Sequence, residues 1–352
     1  MQQAFNIADF TLSPKGRVFI VAELSANHNG SLETALATIV AAKRAGADAI
    51  KLQTYTPDTI TLNARTDDFR LKQGTIWDGR YLYELYQEAY TPWEWHPRLF
   101  EAASDAGLIC FSSPFDHTAV DLLEQLDAPA YKIASFEITD IPLIRYVASK
   151  GKPVIISTGI AEEEDIRLAI ETCRAEGNHQ LILLKCTSSY PAPIEEANLL
   201  SIPDLASRFG VISGLSDHTM GIVAPVVATA LGARFIEKHF ILDRSIGGPD
   251  ASFSLDEGEF MAMVKAVRQA EAALGEISYT LTAKQRKGRE FSRSLYVSED
   301  IAKDEVFTKQ NLRSVRPGFG LHPRHYTEVL GKKAAADFTK GHPLKTGDWV
   351  QE

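Results

Sequence analysis

The chain has 352 residues, of which 45% are hydrophobic and 24% charged, and its net charge is −9. This negative balance argues against a general nucleic-acid binder, whose affinity depends on clustered Lys and Arg facing phosphates. No apolar run approaches the roughly 20 residues that span a bilayer, and the start from Met1 to Phe5 does not resemble a secretory signal. We expect a cytoplasmic protein whose partners are neither nucleic acid nor membrane. The cysteines, Cys110, Cys173 and Cys186, lack metal-ligand spacing and are interpreted as reduced packing residues rather than catalytic thiols.

Eight short apolar runs predict buried β-strands, and polar residues follow each run. Helix-length segments separate most of the runs. This repetition predicts an α/β protein, a closed (β/α)8 TIM barrel whose chemistry collects at the carboxyl ends of its strands. The strands are expected at Arg17–Leu24, Ala49–Gln53, Leu108–Ser112, Ala130–Ala134, Pro153–Ser157, Leu181–Lys185, Val211–Gly214 and Arg234–His239.

The segments between the strands show helical periodicity. Ser31 can cap the first helix, which should end at Gly46. Further helices are expected at Ala119–Leu126, Ile141–Ser149, Ala161–Ala175, Ile222–Leu231 and Leu255–Leu274, with a weaker pattern at Leu199–Phe209. A polar and aromatic stretch from Tyr55 to Tyr83 interrupts the rhythm, and an insertion of that length is typical of a functional loop.

The pattern changes after Gly275. We predict a barrel domain over residues 1–279, a polar and basic linker over 280–290, and a small β-rich domain over 291–352. About 60 residues is near the lower limit for an independently stable core, so this domain should lean on the barrel or on another subunit. Its short β-like runs are Ser294–Val297, Val306, Leu312–Val315 and Trp349–Val350.

Two histidines, His218 and His239, end the seventh and eighth strands. Neighbouring strands lie about 4.8 Å apart, so two imidazoles can converge on one divalent cation at the barrel mouth. With no cysteine nearby, oxygen ligands would complete an open, exchangeable site. Alternation along the strand places Glu237 on the inner face with His239, while Lys238 points away.

Lysines and serines also follow the predicted strands. Lys51, Lys132 and Lys185 near one mouth favour a strongly anionic ligand, because a buried lysine is costly unless it is paired. Two alternatives remain open. The lysines could form salt bridges with Glu23, Glu137 or Asp217, or one of them could form a Schiff base as in barrel aldolases.

Several of these segments resemble the sialic acid synthase family, in order along almost the whole chain. The tail segment Ser314-Val315-Arg316-Pro317-Gly318 resembles that family's antifreeze-like (SAF) domain. The barrel segments that carry the resemblance are Glu23-Leu24-Ser25-Ala26-Asn27-His28-Asn29-Gly30, Lys51-Leu52-Gln53-Thr54-Tyr55, Tyr131-Lys132-Ile133-Ala134-Ser135, Gly214-Leu215-Ser216-Asp217-His218 and Glu237-Lys238-His239-Phe240. The family condenses phosphoenolpyruvate with an acetamido sugar, releasing phosphate and forming a nine-carbon 2-keto acid.

The resemblance implies roles for individual residues. His218 and His239 would bind the metal, expected to be Mn²⁺, with Mg²⁺ or Co²⁺ as alternatives. Arg316 would complete the site of a partner subunit in a domain-swapped homodimer. The carboxylates near the reacting carbon would be Glu23 and Glu137, while Asp250 would contact the sugar or the metal-bound water. The residues that hold phosphoenolpyruvate would be Lys51, Lys132, Ser135, Ser157, Ser188 and Ser216, and Gln53 and Tyr190 would contact the sugar.

Ser25 and the segment Cys186-Thr187-Ser188-Ser189-Tyr190-Pro191 match the branch of the family whose acceptor is 2,4-diacetamido-2,4,6-trideoxy-altrose. The acceptors that lead to N-acetylneuraminic or legionaminic acid are the alternatives. The extra acetamido group and the missing hydroxyl of the expected acceptor fit the aromatic-rich insertion, although those aromatics could equally be packing residues. A different class, an ice-binding or carbohydrate-binding module, stays open for the tail.

Overall fold

The computed structural model describes residues 4–72, 74 and 76–350, which fall into two compact units divided between Gly275 and Glu276. The chain starts with an antiparallel hairpin, β1 (Phe5–Ile7) and β2 (Phe10–Leu12). Eight parallel strands then close into a barrel in chain order, which confirms the predicted fold. The barrel strands are β3 (Phe19–Glu23), β4 (Ala49–Thr54), β5 (Ile109–Pro114), β6 (Tyr131–Ile133), β7 (Val154–Ser157), β8 (Leu181–Cys186), β9 (Ile212–Asp217) and β10 (Phe235–His239).

Helices surround the barrel, and each predicted helix is present with ends within two residues of those expected. Side-chain caps explain the shifts: Asp116 accepts from the N–H of Thr118 and begins a helix earlier than the apolar pattern suggests, and Asp256 caps the last helix. The helices of this unit are α1 (Leu32–Arg44), α2 (Pro57–Ile60), α3 (Leu82–Ala89), α4 (His96–Asp105), α5 (His117–Gln125), α6 (Ile141–Ala148), α7 (Glu163–Ala175), α8 (Ser201–Phe209), α9 (Val223–Ala230) and α10 (Glu257–Leu274). None of the helices over the described ranges is long and apolar enough to cross a bilayer.

The barrel interior is filled by alternate side chains of the strands. Phe19, Val21, Ala49, Phe111 and Phe235 belong to this interior cluster, whereas the intervening residues of the same strands pack against the helices. Ile7 and Leu12 of the N-terminal hairpin are fully buried in the same cluster. The hairpin therefore covers the N-terminal end of the barrel.

Several elements depart from the prediction. The hairpin strands were not predicted, because runs of three residues carry too little periodic pattern. Strand β9 continues through Ser216 to Asp217, beyond the predicted end at Gly214, because pairing with β8 and β10 holds that extension. The linker predicted at 280–290 contains a helix, α11 (Ala283–Gly288), capped by Thr282.

The C-terminal unit is β-rich, as predicted. Strand β11 (Ser294–Val297) pairs antiparallel with β12 (Leu312–Val315), and both have the predicted bounds. Val306 and Trp349 form isolated bridges to Lys333 and Ala334. The unit has its own buried cluster and a short helix, α12 (Tyr326–Val329).

Candidate active site

Of the polar residues that the sequence singles out, buried ones on six barrel strands face into the barrel. Each follows an interior apolar residue by an even number of positions, as Glu23 follows Val21 and Lys51 follows Ala49. Because side chains alternate along a strand, the polar residues share the inner face. The others are Lys132, Ser157, Ser216 and Glu237. The structure thus brings together most of the strand-end residues that the sequence singles out.

Glu237 is the centre of this cluster. Its Oε1 accepts from Lys132 Nζ at 2.7 Å, Lys51 Nζ at 2.8 Å and Ser216 Oγ at 3.1 Å. Lys51 also pairs with Glu23, whose Oε1 accepts from Gln53 Nε2 at 3.0 Å. Two of the lysines are therefore salt bridged, mainly to a carboxylate that was predicted to face inward but not to pair with them.

The charged groups of this cluster shift one another's pKa. Burial alone would raise the pKa of Glu237, but the charges of Lys132 and Lys51 lower it below its ordinary value. Burial would lower the pKa of Lys51, yet Glu23 and Glu237 raise it, whereas burial lowers the pKa of Lys132. An ammonium group has three N–H donors. Lys132 needs only one of them for Glu237, so donors remain for an anionic ligand.

Lys185 does not belong to the predicted ring of lysines at the barrel mouth. It lies three positions after the interior residue Ile182 and two after Leu183, which packs against the helices. The odd spacing turns its side chain away from the barrel interior, and its Nζ donates to the carbonyl of Cys186 at 2.9 Å. Lys238 also points away, as predicted, and pairs with Asp217 at 2.5 Å.

The two predicted metal ligands lie side by side, with 5.3 Å between the ring centroids of His218 and His239. The carbonyl of Thr187 lies 3.0 Å from His218 Nδ1 and must accept from it, so in the neutral ring the lone pair lies on Nε2. His239 Nδ1 is buried without a hydrogen-bond partner and lies 3.8 Å from an Asp250 oxygen. Burial lowers the pKa of His239 well below its ordinary value, which keeps this imidazole neutral.

These donors fit an open divalent-metal site. Two imidazoles and one carboxylate are available, and the unpartnered buried nitrogen of His239 is one a metal could satisfy. Over the ranges that the structure describes, no group of three or more His, Cys, Asp or Glu side chains is arranged to hold a metal ion by itself. Ligand or water oxygens would have to complete the coordination, as the sequence predicts.

Cys186 has a place in the site that the sequence interpretation did not give it. Its Sγ lies 3.7 Å from His218 Nδ1 and 3.8 Å from Ser188 Oγ. Burial would raise the pKa of this thiol, but His218 lowers it to about 6. The even spacing of Cys186 from Ile182 and Leu184 in the interior is the signal that could have identified it.

The predicted serines Ser135 and Ser188 lie beside Gly159, and the predicted Ser157 ends β7 two residues before it. The N–H of Gly159 donates to Ser135 Oγ at 3.1 Å. A Cβ at Gly159 would lie 2.1 Å from Ser188 Oγ, 2.7 Å from Ser135 Oγ and 3.1 Å from Cys186 Sγ. Ser157 Oγ is buried with no hydrogen-bond partner. The hydroxyls of Ser135 and Ser188 lie so close to Gly159 that only a residue without a side chain fits between them. The sequence analysis did not identify Gly159.

Two further predicted carboxylates face the same space. Glu137 follows β6, and burial raises its pKa to about 7 from an ordinary 4.5. Its Oε2 has no hydrogen-bond partner. Asp250 accepts from the N–H of Ala26 at 3.4 Å, and burial raises its pKa against the hydrogen bond from Ser25.

A cavity of about 620 Å³ opens at this end of the barrel. Gln53, Glu137, Ser188, His239 and Asp250 are among the polar residues that line it. The remaining lining is mostly apolar and aromatic. Much of that part comes from the insertion after β4: Tyr55, Ile60, Leu71, Trp77, Leu82, Leu85 and Tyr86.

Tyr190 and Trp77 close one side of the cavity. The Tyr190 ring lies 4.5 Å from the His218 ring and 5.5 Å from the Trp77 ring, measured between centroids. Trp77 Nε1 donates to the carbonyl of Pro249 at 3.2 Å, next to Asp250. The insertion is thereby fixed to the loop that follows the last barrel strand.

Arg316 belongs to the C-terminal unit and is exposed. It directly follows β12, and the backbone beyond it is held inside its own unit. Ser294 Oγ donates to the carbonyl of Pro317 at 2.7 Å, and the N–H of Gly318 donates to the carbonyl of Glu290 at 2.9 Å. The loop is therefore fixed while the guanidinium side chain is accessible.

Comparison with known proteins agrees with this geometry. A model of the NeuB family matches residues 38–279, and a model of the SAF domain matches residues 292–348. A pseudaminic acid synthase of Campylobacter jejuni is 56% identical over 98% of this chain and 99% of its own length. One from Helicobacter pylori is 51% identical over 94% of this chain and 97% of its own.

A solved structure gives a more distant reference. The N-acetylneuraminic acid synthetase of Leptospira borgpetersenii, in complex with citrate, is 30% identical and superposes with a TM-score of 0.73. The match covers 82% of this chain and 95% of the other.

Proposed function

The chain belongs to the NeuB family, and from this premise we propose that it condenses phosphoenolpyruvate, 2,4-diacetamido-2,4,6-trideoxy-altrose and water into pseudaminic acid and phosphate. The observation that carries the proposal is the identity of 56% and 51% to two pseudaminic acid synthases over nearly their whole lengths. An N-acetylneuraminic acid synthetase is only 30% identical. The site chemistry supports the same class of reaction, because an anion-binding cluster lies beside a carboxylate-rich cavity.

In the proposed reaction, carbon 3 of phosphoenolpyruvate forms the new bond to the aldehyde carbon of the open-chain acceptor. Carbon 2 becomes electrophilic and takes its new oxygen from water, and its bond to the phosphate oxygen then breaks. Phosphate leaves, the aldehyde oxygen takes up a proton, and a nine-carbon 2-keto acid results. Each atom of the three reactants is accounted for in the two products.

The chain's own residues bind and orient the reactants. Lys51 and Lys132 supply positive charge, and the serines beside Gly159 supply hydroxyl donors, for the phosphate and carboxylate of phosphoenolpyruvate. Glu23 and Glu137 lie where they can stabilise positive charge at carbon 2 and position the attacking water. Gln53 and Tyr190 are the proposed sugar contacts, with Asp250 beside them.

His218 and His239 would hold a divalent metal, with Mn²⁺ as the first choice. When bound there, such an ion supplies Lewis-acid polarisation of the acceptor carbonyl. Neutral His239, with its unpartnered nitrogen, supports this assignment.

The Schiff-base alternative is weaker. Lys51 is held as an ammonium by Glu23 and Glu237, and an ammonium has no lone pair with which to attack a carbonyl. Lys132 has a lowered pKa but is hydrogen bonded to Glu237. Both lysines are better suited to binding an anion.

The direct test is phosphate release from phosphoenolpyruvate with Mn²⁺ and a panel of acceptors, run in water labelled with oxygen-18. We expect turnover with the 2,4-diacetamido-trideoxy-altrose, label at carbon 2 of the product, and unlabelled phosphate. A preference for N-acetylmannosamine or for the legionaminic precursor would reassign the acceptor. Label in the phosphate would mean cleavage of the phosphorus–oxygen bond and would refute the mechanism.

Replacement of Gly159 by Ala should reduce kcat/KM for phosphoenolpyruvate by about 100-fold, because misplacement of binding groups by about 1 Å has effects of that size. The new Cβ would lie 2.1 Å from Ser188 Oγ and 2.7 Å from Ser135 Oγ, so both hydroxyls must move. Steady-state kinetics measure the effect. Gly288→Ala is the control, since a Cβ there meets nothing within 4 Å. Wild-type kinetics in a folded Gly159→Ala enzyme would show that the hydroxyls beside Gly159 do not bind phosphoenolpyruvate.

Glu137 should give the pH profile an ascending limb with an apparent pKa near 7, because its pKa is raised to about 7 and the proposed role needs the carboxylate. Stability should change in the opposite direction. A raised pKa in the folded state means that the stabilisation is complete below the unfolded value of 4.5 and is lost as the pH rises through 7. Rates and thermal midpoints from pH 5 to 8 test both trends. Glu137→Gln should remove both, Glu195→Gln should keep both, and retention of the limb in Glu137→Gln would assign it to another group.

We further propose that the enzyme works as a domain-swapped homodimer in which Arg316 completes the site of the partner subunit. The fixed loop and the exposed guanidinium support this role, because the planar fork of Arg can bind two oxygens at once.

A further inference from the structure

The insertion after β4, together with α3, supplies an apolar wall to the cavity, which we define as Ile60, Leu71, Leu82 and Leu85. Leu85 is buried and the other three are half-buried. Other apolar residues of the same segment are exposed instead, such as Leu62 at 66%. The wall therefore consists of the apolar side chains that the insertion turns toward the cavity.

Polar and apolar lining residues occupy different parts of the cavity. Gln53, Ser188 and His239 lie on or directly after barrel strands, where the reacting groups collect. The apolar wall comes from the segment that leaves the barrel mouth. An acceptor with its aldehyde at the strand ends would extend its far end out of the barrel mouth, where the insertion lies. In a 6-deoxy sugar that far end is a methyl group.

We infer that the apolar wall binds the carbon-6 methyl group of the acceptor and selects 6-deoxy sugars over sugars that carry a hydroxyl at that carbon; this rests on the proposed function. Contact with a methyl group removes apolar surface from water, whereas a hydroxyl placed there would lose its hydrogen bonds to water without regaining them. Apolar pockets reject an added hydroxyl by about 100-fold at most. That figure sets the expected selectivity.

The test compares two acceptors that differ only in this group, 2,4-diacetamido-2,4,6-trideoxy-altrose and its 6-hydroxy analogue. Wild-type enzyme should prefer the deoxy sugar by about 30- to 100-fold in kcat/KM. Leu82→Asn and Leu71→Asn place a polar group of similar size in the wall. Each should reduce that preference at least fivefold by raising KM for the deoxy sugar, with kcat and the KM for phosphoenolpyruvate little changed, because the methyl group does not react.

Leu62→Asn is the matched control and should keep the wild-type preference. Leu71 lies outside the helices, held by backbone hydrogen bonds to Gly79 and Arg80, so Leu71→Asn tests the wall even where Leu82→Asn weakens α3. Thermal midpoints verify folding. An unchanged preference in both folded variants, or no preference in the wild type, would overturn the inference while the proposed function stands. Failure of the wild type to use either sugar would overturn both.

Discussion

Replacement of His239 by Ala should lower kcat/KM by about 1,000-fold or more, because loss of metal-assisted charge stabilisation removes several kcal/mol. His218→Ala should have a similar effect, since the two rings lie 5.3 Å apart and are the proposed ligands. Steady-state rates with added Mn²⁺ and bound metal per subunit measure the loss. Chelation of the wild-type enzyme should abolish turnover, and Mn²⁺ should restore it.

The matched control is His179→Ala, because His179 is exposed and lies at the opposite end of the barrel strands, just before β8. This variant should keep full activity and metal content. Circular dichroism of the His239→Ala protein separates loss of metal from loss of fold. Full turnover by metal-free wild-type enzyme would refute the Lewis-acid role.

Mixing inactive Arg316→Ala subunits with inactive His239→Ala subunits should restore about a quarter of wild-type activity. In a swapped heterodimer, one barrel with both histidines receives an intact Arg316 from its partner. Half of the dimers are mixed after random reassociation, and each has one good site of two. Phosphate release after a denaturant-assisted exchange step measures the recovery.

Recovery depends on exchange of subunits, so differently tagged chains must be shown to copurify. Arg313→Ala is a suitable control for the Arg316 arm, because it removes another exposed arginine, which lies on β12 three residues before Arg316. Arg313→Ala subunits should be active without mixing. Confirmed exchange with no recovery would mean that each C-terminal unit serves its own barrel, and the swap would be wrong.

The alternation of side chains along a strand explains how much of the site could be predicted from the sequence. An inner-facing polar residue must lie an even number of positions after an interior apolar one, and Glu23, Lys51, Lys132 and Glu237 satisfy this rule. Lys185 fails it, so its presence at a strand end was misleading. Position at a strand end is therefore a weaker signal than position combined with parity.

Contacts across the barrel could not be predicted in the same way. Lys132 lies 105 residues before Glu237 in the chain, and only closure of the eight strands brings them to 2.7 Å. The same holds for Gly159, whose role depends on hydroxyls from Ser135 and Ser188 on neighbouring loops. Local patterns predict the strands and the residues that line them, but pairing across a closed sheet depends on its register.

The N-terminal hairpin limits how substrates can enter the barrel and how products can leave it. Ile7 and Leu12 close the N-terminal end of the barrel. The opposite end is therefore the opening for both substrate entry and product release. The charged cluster lies deepest, directly above the apolar interior, and the wider chamber lies outside it. Under the proposed function, we expect the small anion to bind before the sugar, because the sugar would then cover it. In such a barrel, closed at one end, the product would leave through the same opening by which the substrates enter.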